Sequence, residues 1–462
     1  MQRPNILFIM TDQQRWDAMG CSGGWVRTPA LDRIAAEGVR FEKCVTNSPV
    51  CIPARVSLAT GLYPHNTGVW DNFPYDLPES TPTWMQRLRT AGYRTSLFGK
   101  THLHRHQGDL RDRESLMHAY GLDDVNEIGG PRASARVLSH MTERWRKKGL
   151  WEAYREDYRE RFGNRPTVVR PSVLPLDEYA DVYVGQQAAR YLQAYDRDEP
   201  WFCWVSFGGP HEPWDAPEPY ASMYAPASMP SPASRPEVDA DRPRGVLDDR
   251  LRQAPDCSAE EFRAMRANYA GNVTLIDEQI GRILSVVEGR RELDGTIVAF
   301  ASDHGEMNGD YGLVYKNNFL NGAVRVPLVI RTPATAAAGG TGRVCSAPVE
   351  LFDLGPTLVE LAGASPQAPQ FSASLCPLLE DPAAAHRTVA ISELDGEIMI
   401  LNRRWKMAVN ARAEPYLLFD LDNDPEEQNN LVTDPATTAI RDALCMRILQ
   451  RLVQTQIQKN RS

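Results

Sequence analysis

The chain has 462 residues, enough for one large α/β unit plus a smaller one, each with its own core. Its 42% hydrophobic and 24% charged content is ordinary for a soluble globular protein. The formal net charge of −9 argues against a nucleic-acid or general polyanion binder, whose contact face is basic, yet leaves room for a locally positive pocket and a small anionic substrate.

In chain order, the first apolar run is Ile6–Met10, followed at once by Asp12. That run is too short for a secretory signal, and no later run approaches membrane-spanning length, so the expectation is a cytoplasmic protein with no membrane partner. Short β-branched runs at Ile6–Met10, Arg94–Phe98, Phe202–Ser206, Thr296–Ala301 and Val326–Ile330 alternate with helical patterns. Such alternation predicts an α/β fold with a large, mostly parallel central sheet covered by helices on both faces. The spacing of Leu275, Ile276, Ile280, Ile283, Leu284 and Val287 predicts an amphipathic helix over Asn268–Val287, and a second helix is predicted over Leu351–Ala362, stopping at Gly363.

Two segments break the rhythm. Residues 105–180 are arginine-rich and read as a helical insert on a solvated face, and 225–244 are rich in proline and serine, as in a long loop or lid. From about residue 370 the runs shorten to "TVAISEL", "EIMIL" and "WKMAV", then a final helix with an apolar stripe of Leu444, Ile448, Leu449 and Leu452. The expected division is therefore 1–370 and a C-terminal α+β subdomain over 371–462, with the stripe packing within the chain or between copies of a homo-oligomer.

Ligands bind at the carboxyl ends of strands in open α/β sheets. Four predicted strands end in polar clusters: Asp12-Gln13, then "GKTHLH" with Lys100 and His102, "PHEPW" with His211, and "SDHGE" with Asp303 and His304. Asp12, Gln13, Asp303 and His304 supply oxygens and one imidazole, suited to a divalent cation, calcium by preference or manganese given the nitrogen. Lys100, His102 and His211 around it form an anion clamp with proton-transfer groups.

The eight cysteines lack CxxC pairing, which argues against a disulfide framework or thiolate zinc site. Cys51 alone precedes a helix pattern, with Pro53 and Arg55 in its first turn and Gly61 as its stop. The simple reading is a thiolate of lowered pKa, but a hard cation favours an oxygen nucleophile over sulfur.

With "CIPAR…LATG", "NILFIMTDQ", "GKTHLH", "PHEPW", "SDHGE", Lys316 in "YKNNF" and "RVPLVI", the sequence resembles the sulfatase family of the alkaline-phosphatase-like superfamily over essentially its whole length. Asp12-Gln13 and Asp303-His304 are similar to the choline-sulfatase and phosphonate-monoester-hydrolase branches, whereas many sulfatases carry Asp-Asp and Asp-Asn there. Asn321 stands where a glutamate often precedes "RVPL". The resemblance implies oxidation of Cys51 to Cα-formylglycine by a separate maturation enzyme. It also implies metal binding by Asp12, Gln13, Asp303, His304 and the modified Cys51, and a small sulfated substrate. Hydrated formylglycine would attack sulfur, with Arg55 holding it, Lys100 and Lys316 neutralising sulfate, His211 protonating the leaving alcohol and His102 triggering release of sulfate. Asn72, Trp70 and Trp214 are candidate pocket residues. Rival readings are phosphonate monoester or phosphodiester hydrolysis by the same groups, a non-catalytic binder of sulfated ligands, and an unmodified thiolate enzyme.

Overall fold

β1 (Asn5–Asp12), β2 (Val39–Val45), β3 (Arg94–Gly99), β4 (Asp124–Glu127), β5 (Trp201–Pro210), β6 (Thr296–Ser302), β7 (Leu328–Arg331) and β8 (Arg343–Glu350) form one sheet in the order β4-β3-β5-β1-β6-β7-β2-β8. This is a computed structural model that describes residues 3–164, 168–235, 241–339 and 342–457. All neighbouring pairs are parallel except β7, which runs antiparallel to both β6 and β2. The central strands are apolar on both sides: Ile6, Phe8 and Met10 face one buried layer, Leu7 and Ile9 the other. That continuous burial is why "ILFIM" lacks the alternation of a half-exposed strand.

The five expected strands are present, and the sheet is mostly parallel with helices on both faces. Three further strands were not expected. β2, "VRFEKCV", mixes buried and half-buried positions, and β4, "DVNE", is a short polar edge. β8 carries charge at both ends, so none of the three offers an apolar run.

The helix expected from Asn268 begins at Ala259 and runs to Gly289; Ser258 caps it, accepting from the Glu261 amide at 3.3 Å. The helix expected over Leu351–Ala362 is a 3₁₀ turn, Leu351–Asp353, followed by an α-helix, Leu354–Leu361.

The 105–180 segment corrects its expectation. It is not merely a solvated helical insert, because β4 within it completes the central sheet and Met141, Trp145 and Tyr154 are buried in the core. The charged residues around Trp145 conceal this: Arg144 and Lys148 both pair with Glu178, and the Trp145 indole donates to the Glu178 carbonyl at 2.8 Å. Residues 165–167 of this segment and 236–240 of the proline-rich segment lie outside the described residues. The described parts of the proline-rich segment are fastened down, Ala233 by the Asp310 carboxylate and Arg242 by Asp248.

A second, antiparallel sheet follows, β9 (Ala390–Leu394), β10 (Glu397–Leu401), β11 (Trp405–Val409) and β12 (Pro415–Asp420), in the order β12-β11-β10-β9. Buried Glu350, at the end of β8, accepts from the Ile391 amide of β9 at 2.9 Å and from the Tyr63 hydroxyl at 2.6 Å, joining the two sheets. The last helix, Thr438–Gln454, lays Leu444 and Ile448 on this sheet, whereas Leu449 is 53% exposed beside Met446 and Val453. The apolar stripe is therefore divided between an internal face and solvent. No helix among the described residues is long and apolar enough to cross a membrane.

The end of β5 is held by Asp181, whose Oδ1 accepts from the amides of Gly208 and Gly209 at 2.9 and 3.0 Å. Burial pushes this carboxyl up to about 7, against those amides, which pull it down. A carboxyl raised in the folded state binds more protons than in the unfolded chain, so wild-type stability falls as pH rises from about 4 towards 7. Asp181→Asn keeps an acceptor oxygen and removes the ionisation. Its stability relative to wild type is expected to improve by roughly 2–4 kcal/mol between pH 5 and 8 in urea titrations; a pH-independent difference would refute the assignment.

Candidate active site

β3, β5, β1 and β6 are adjacent and parallel, so their carboxyl ends open on one edge of the sheet. β2, parallel to them across antiparallel β7, ends on the same edge and leads into the helix Cys51–Thr60. Thr46, just past β2, donates its hydroxyl to the Asp303 carbonyl at 2.6 Å and fixes that approach. The helix is buried along its whole length and ends at Gly61, whose φ of 71° is the left-handed stop glycine allows. At its other end the Asn72 side-chain oxygen accepts from the Ile52 amide at 2.9 Å, so Asn72 caps the helix as well as lining the cavity.

Arg55 is fully buried, and its guanidinium donates to Asp303 Oδ2 at 2.7 Å, Asp12 Oδ2 at 3.2 Å, the Lys100 carbonyl at 2.7 Å and Ser206 Oγ at 3.1 Å. Lys100 Nζ also donates to Asp12 Oδ2. Cys51 Sγ lies 3.0 Å from His304 Nε2 and 3.9 Å from Asp12 Oδ1. Burial alone would raise the Cys51 thiol, but Lys316, Lys100 and His304 outweigh it and hold it well below its ordinary value. Position 51 is thus built for a negatively charged group.

His304 Nδ1 faces the Gly305 carbonyl at 3.0 Å, which only accepts. That commits the Nδ1 proton to the carbonyl and leaves Nε2 facing Cys51; burial opposes a second proton, but Asp303 and Cys51 raise the pKa of the ring so that Nε2–H can meet a thiolate, and a bound cation would take the Nε2 lone pair instead. Asp12, Cys51, Asp303 and His304 bring one ligand atom each within 4.8 Å of one another, all buried, so this donor set fits a divalent cation. Gln13, in a left-handed conformation at φ 71°, donates its backbone amide to Asp303 Oδ1 at 3.0 Å. Its side-chain carbonyl accepts from Lys316, and its amide nitrogen donates to Glu212 at 2.9 Å and to Glu306.

The cavity over these groups has a volume of about 780 Å³ and is lined by Cys51, Lys100, His102, His211 and Lys316 among others. His102 hydrogen-bonds Cys51, and burial with Lys100 and His106 pushes its pKa well below the ordinary value, leaving the ring neutral. His211 donates from Nδ1 to the Glu212 carbonyl at 2.7 Å and accepts at Nε2 from Lys316 at 3.0 Å.

Two tryptophan expectations are corrected. Trp214 is buried and packs edge-on against Tyr269, and neither it nor Trp70 lines the cavity; indole area is more readily spent on packing than on a polar rim. Conversely, three residues had no assigned role. Glu212 and Glu306 share the Gln13 amide; burial and the Glu212 charge raise Glu306 to about 7. Burial opposes ionisation of Glu212 too, but His211, Arg132 and Lys316 hold it at about 2. Arg132, on the cavity wall, pairs with Glu212. The quoted motifs contain Glu212 and Glu306, whereas Arg132 has no sequence signal.

Arg55→Lys keeps the charge but loses the fork that spans two carboxylates. It is expected to cost about 3 kcal/mol in denaturant unfolding and roughly 10–100-fold in metal affinity or activity; wild-type stability in this variant would contradict the bridging role.

Residues 4–364 match the family described as Sulfatase, and residues 309–455 match the family N-sulphoglucosamine sulphohydrolase, C-terminal. The chain is similar to a choline-sulfatase of Rhizobium meliloti, 30% identical over 95% of this chain and 86% of that one. An arylsulfatase of Clostridium perfringens is 27% identical over 93% and 90% of the two chains. Among solved structures, a phosphonate monoester hydrolase of Agrobacterium radiobacter superposes with a TM-score of 0.80 at 28% identity, covering 98% of this chain and 96% of that one. The chain belongs to the sulfatase family, of alkaline-phosphatase-like fold, and is a sulfuric ester hydrolase.

Proposed function

We propose that the protein hydrolyses sulfate monoesters to an alcohol and inorganic sulfate, using Cα-formylglycine made from Cys51 and one divalent cation. The observation that carries this reading is the placement of Cys51. It is the first residue of a buried helix, touches His304, and faces a cavity whose wall carries Lys100 and Lys316. Asp12, Asp303 and His304 Nε2, with an oxygen on side chain 51, would hold the cation, and Gln13 Oε1, which accepts from Lys316, would be available as a further donor if Lys316 turned to substrate. Carboxylate oxygens with one imidazole suit calcium, with manganese the alternative.

When bound, the cation offsets charge on the sulfate oxygens and acidifies the nucleophilic hydroxyl. Hydrated formylglycine supplies an oxygen nucleophile and a second hydroxyl, so sulfate is released without attack by water.

The chain's own groups do the rest. Arg55 fixes Asp12 and Asp303 relative to helix Cys51–Thr60. Lys100 and Lys316 meet the oxygens of the anion. Sulfate drawing Lys316 away frees His211 Nε2 to take up a proton from water in the cavity, and the ring then passes that proton to the departing alcohol. Neutral His102, beside Cys51, accepts the proton whose loss releases sulfate. Formylglycine requires a maturation enzyme that reads the segment around Cys51 and Arg55.

The mass of the proteolytic peptide spanning Cys51, from protein coexpressed with a formylglycine-generating enzyme, tests the nucleophile. The expected result is replacement of the thiol by an aldehyde; an intact cysteine would sink the mechanism.

A second reading is phosphonate monoester or phosphodiester hydrolysis by the same residues. It is favoured by the similarity to the Agrobacterium radiobacter hydrolase and by the Asp12-Gln13 and Asp303-His304 pairs. Parallel assays of an aryl sulfate and an aryl phosphonate are expected to show higher kcat/KM for the sulfate. The reverse order assigns the enzyme to phosphonates.

A further inference from the structure

Beside the cavity, and apart from the groups around Cys51, three side chains converge with no role in the reaction. His104 Nε2 lies 2.6 Å from Glu127 Oε2, and His106 Nε2 lies 3.2 Å from Glu127 Oε1. All three side chains are at least 96% buried. Thr101 donates its hydroxyl to Glu127 Oε1 and fixes that carboxylate.

The other ring nitrogens are also engaged. His104 Nδ1 faces the Arg105 carbonyl at 3.1 Å, and His106 Nδ1 faces the Gly129 carbonyl at 3.3 Å. Carbonyls and carboxylates only accept hydrogen bonds. Satisfying all four contacts with protons therefore demands two imidazolium rings against one carboxylate, in a buried site that also feels the charge of Lys100. A single dication resolves this conflict. It takes both Nε2 lone pairs and the carboxylate, and it leaves both Nδ1–H groups on their carbonyls, the outer arrangement that orients metal-binding histidines.

We propose that His104, His106 and Glu127 form a second cation site, separate from that of Asp12, Asp303 and His304, for a zinc-like transition-metal ion. Two imidazoles and one carboxylate select zinc or cobalt over calcium and magnesium, which prefer all-oxygen shells. The three ligand atoms already lie within 4.8 Å of one another. Tetrahedral zinc at its usual bond lengths spaces ligand atoms about 3.3 Å apart. The His106 contact meets this spacing at 3.2 Å, and the His104 contact at 2.6 Å must open slightly. Three protein ligands leave a fourth position. His104 and His106 both line the cavity, so that position takes water or an oxygen of the alcohol portion of the substrate.

The test uses the full-length protein, stripped with chelator and reloaded with zinc, with metal counted by mass spectrometry. Wild type is expected to hold one more equivalent than His106→Gln, with affinity for that equivalent falling by about 100-fold. Because the variant changes a buried side chain, wild-type crystals soaked in zinc give an independent readout: an anomalous difference peak bonded to His104, His106 and Glu127. Cobalt in the same crystals and in solution should give the visible bands of a four-coordinate ion. Absence of that peak, or equal metal content and cobalt spectra in wild type and His106→Gln, overturns the proposal. Neither readout depends on formylglycine formation or ester turnover.

Discussion

One buried guanidinium ties the active edge together. Arg55 reaches Asp12 at the end of β1, Asp303 after β6, the Lys100 carbonyl after β3 and Ser206 of β5, four adjacent strands spanned by one side chain. Without it, the buried Asp12 and Asp303 carboxylates would lose the one cationic side chain that bridges them, a costly arrangement in a low-dielectric interior. Because Arg55 lies one turn into the helix that begins at Cys51, the same contact sets the depth of position 51 against the prospective metal ligands. Charge balance and nucleophile placement are one constraint.

The sheet topology explains why such convergence is possible. Parallel neighbours place their carboxyl ends on one edge, so four separate segments of sequence deliver acid, base and cation without long loops. The single antiparallel strand, β7, lets β2 return in the shared direction and carry helix Cys51–Thr60 to that edge. Asp181 and Glu350 do comparable work away from the chemistry. The first pins the tail of β5 that presents His211, and the second stitches the smaller sheet to β8.

The polar groups form two linked layers. Asp12, Asp303, His304 and position 51 make the inner one. Glu212, Glu306 and Arg132 form the outer one, connected through Gln13 and Lys316. Lys316 contacts both Gln13 and His211, so an incoming anion that attracts Lys316 alters both layers at once. His104, His106 and Glu127 adjoin this system through the contact of the His106 ring with His102, 4.5 Å between centroids.

The meeting of these strand ends was partly legible in the sequence because the buried strands are apolar runs and the polar residues of the candidate site follow them closely. Asp12, Lys100, His102, His211, Asp303 and His304 each sit within five residues of a predicted strand, and Cys51 announces itself by its spacing to Pro53, Arg55 and Gly61. β2, β4 and β8 were hidden because partly exposed or edge strands carry charge. The core role of Trp145 was masked by the arginines and lysines around it. Trp214 went to packing instead of the pocket, since identity alone does not say which way a side chain turns. Gln13 bridging two carboxylates, Arg132 on the cavity wall and the His104–His106–Glu127 cluster depend on contacts between segments far apart or in irregular loops, where no periodicity operates. Local sequence determined which residues the strand ends would offer; only the packing of distant strands decided which of them would meet.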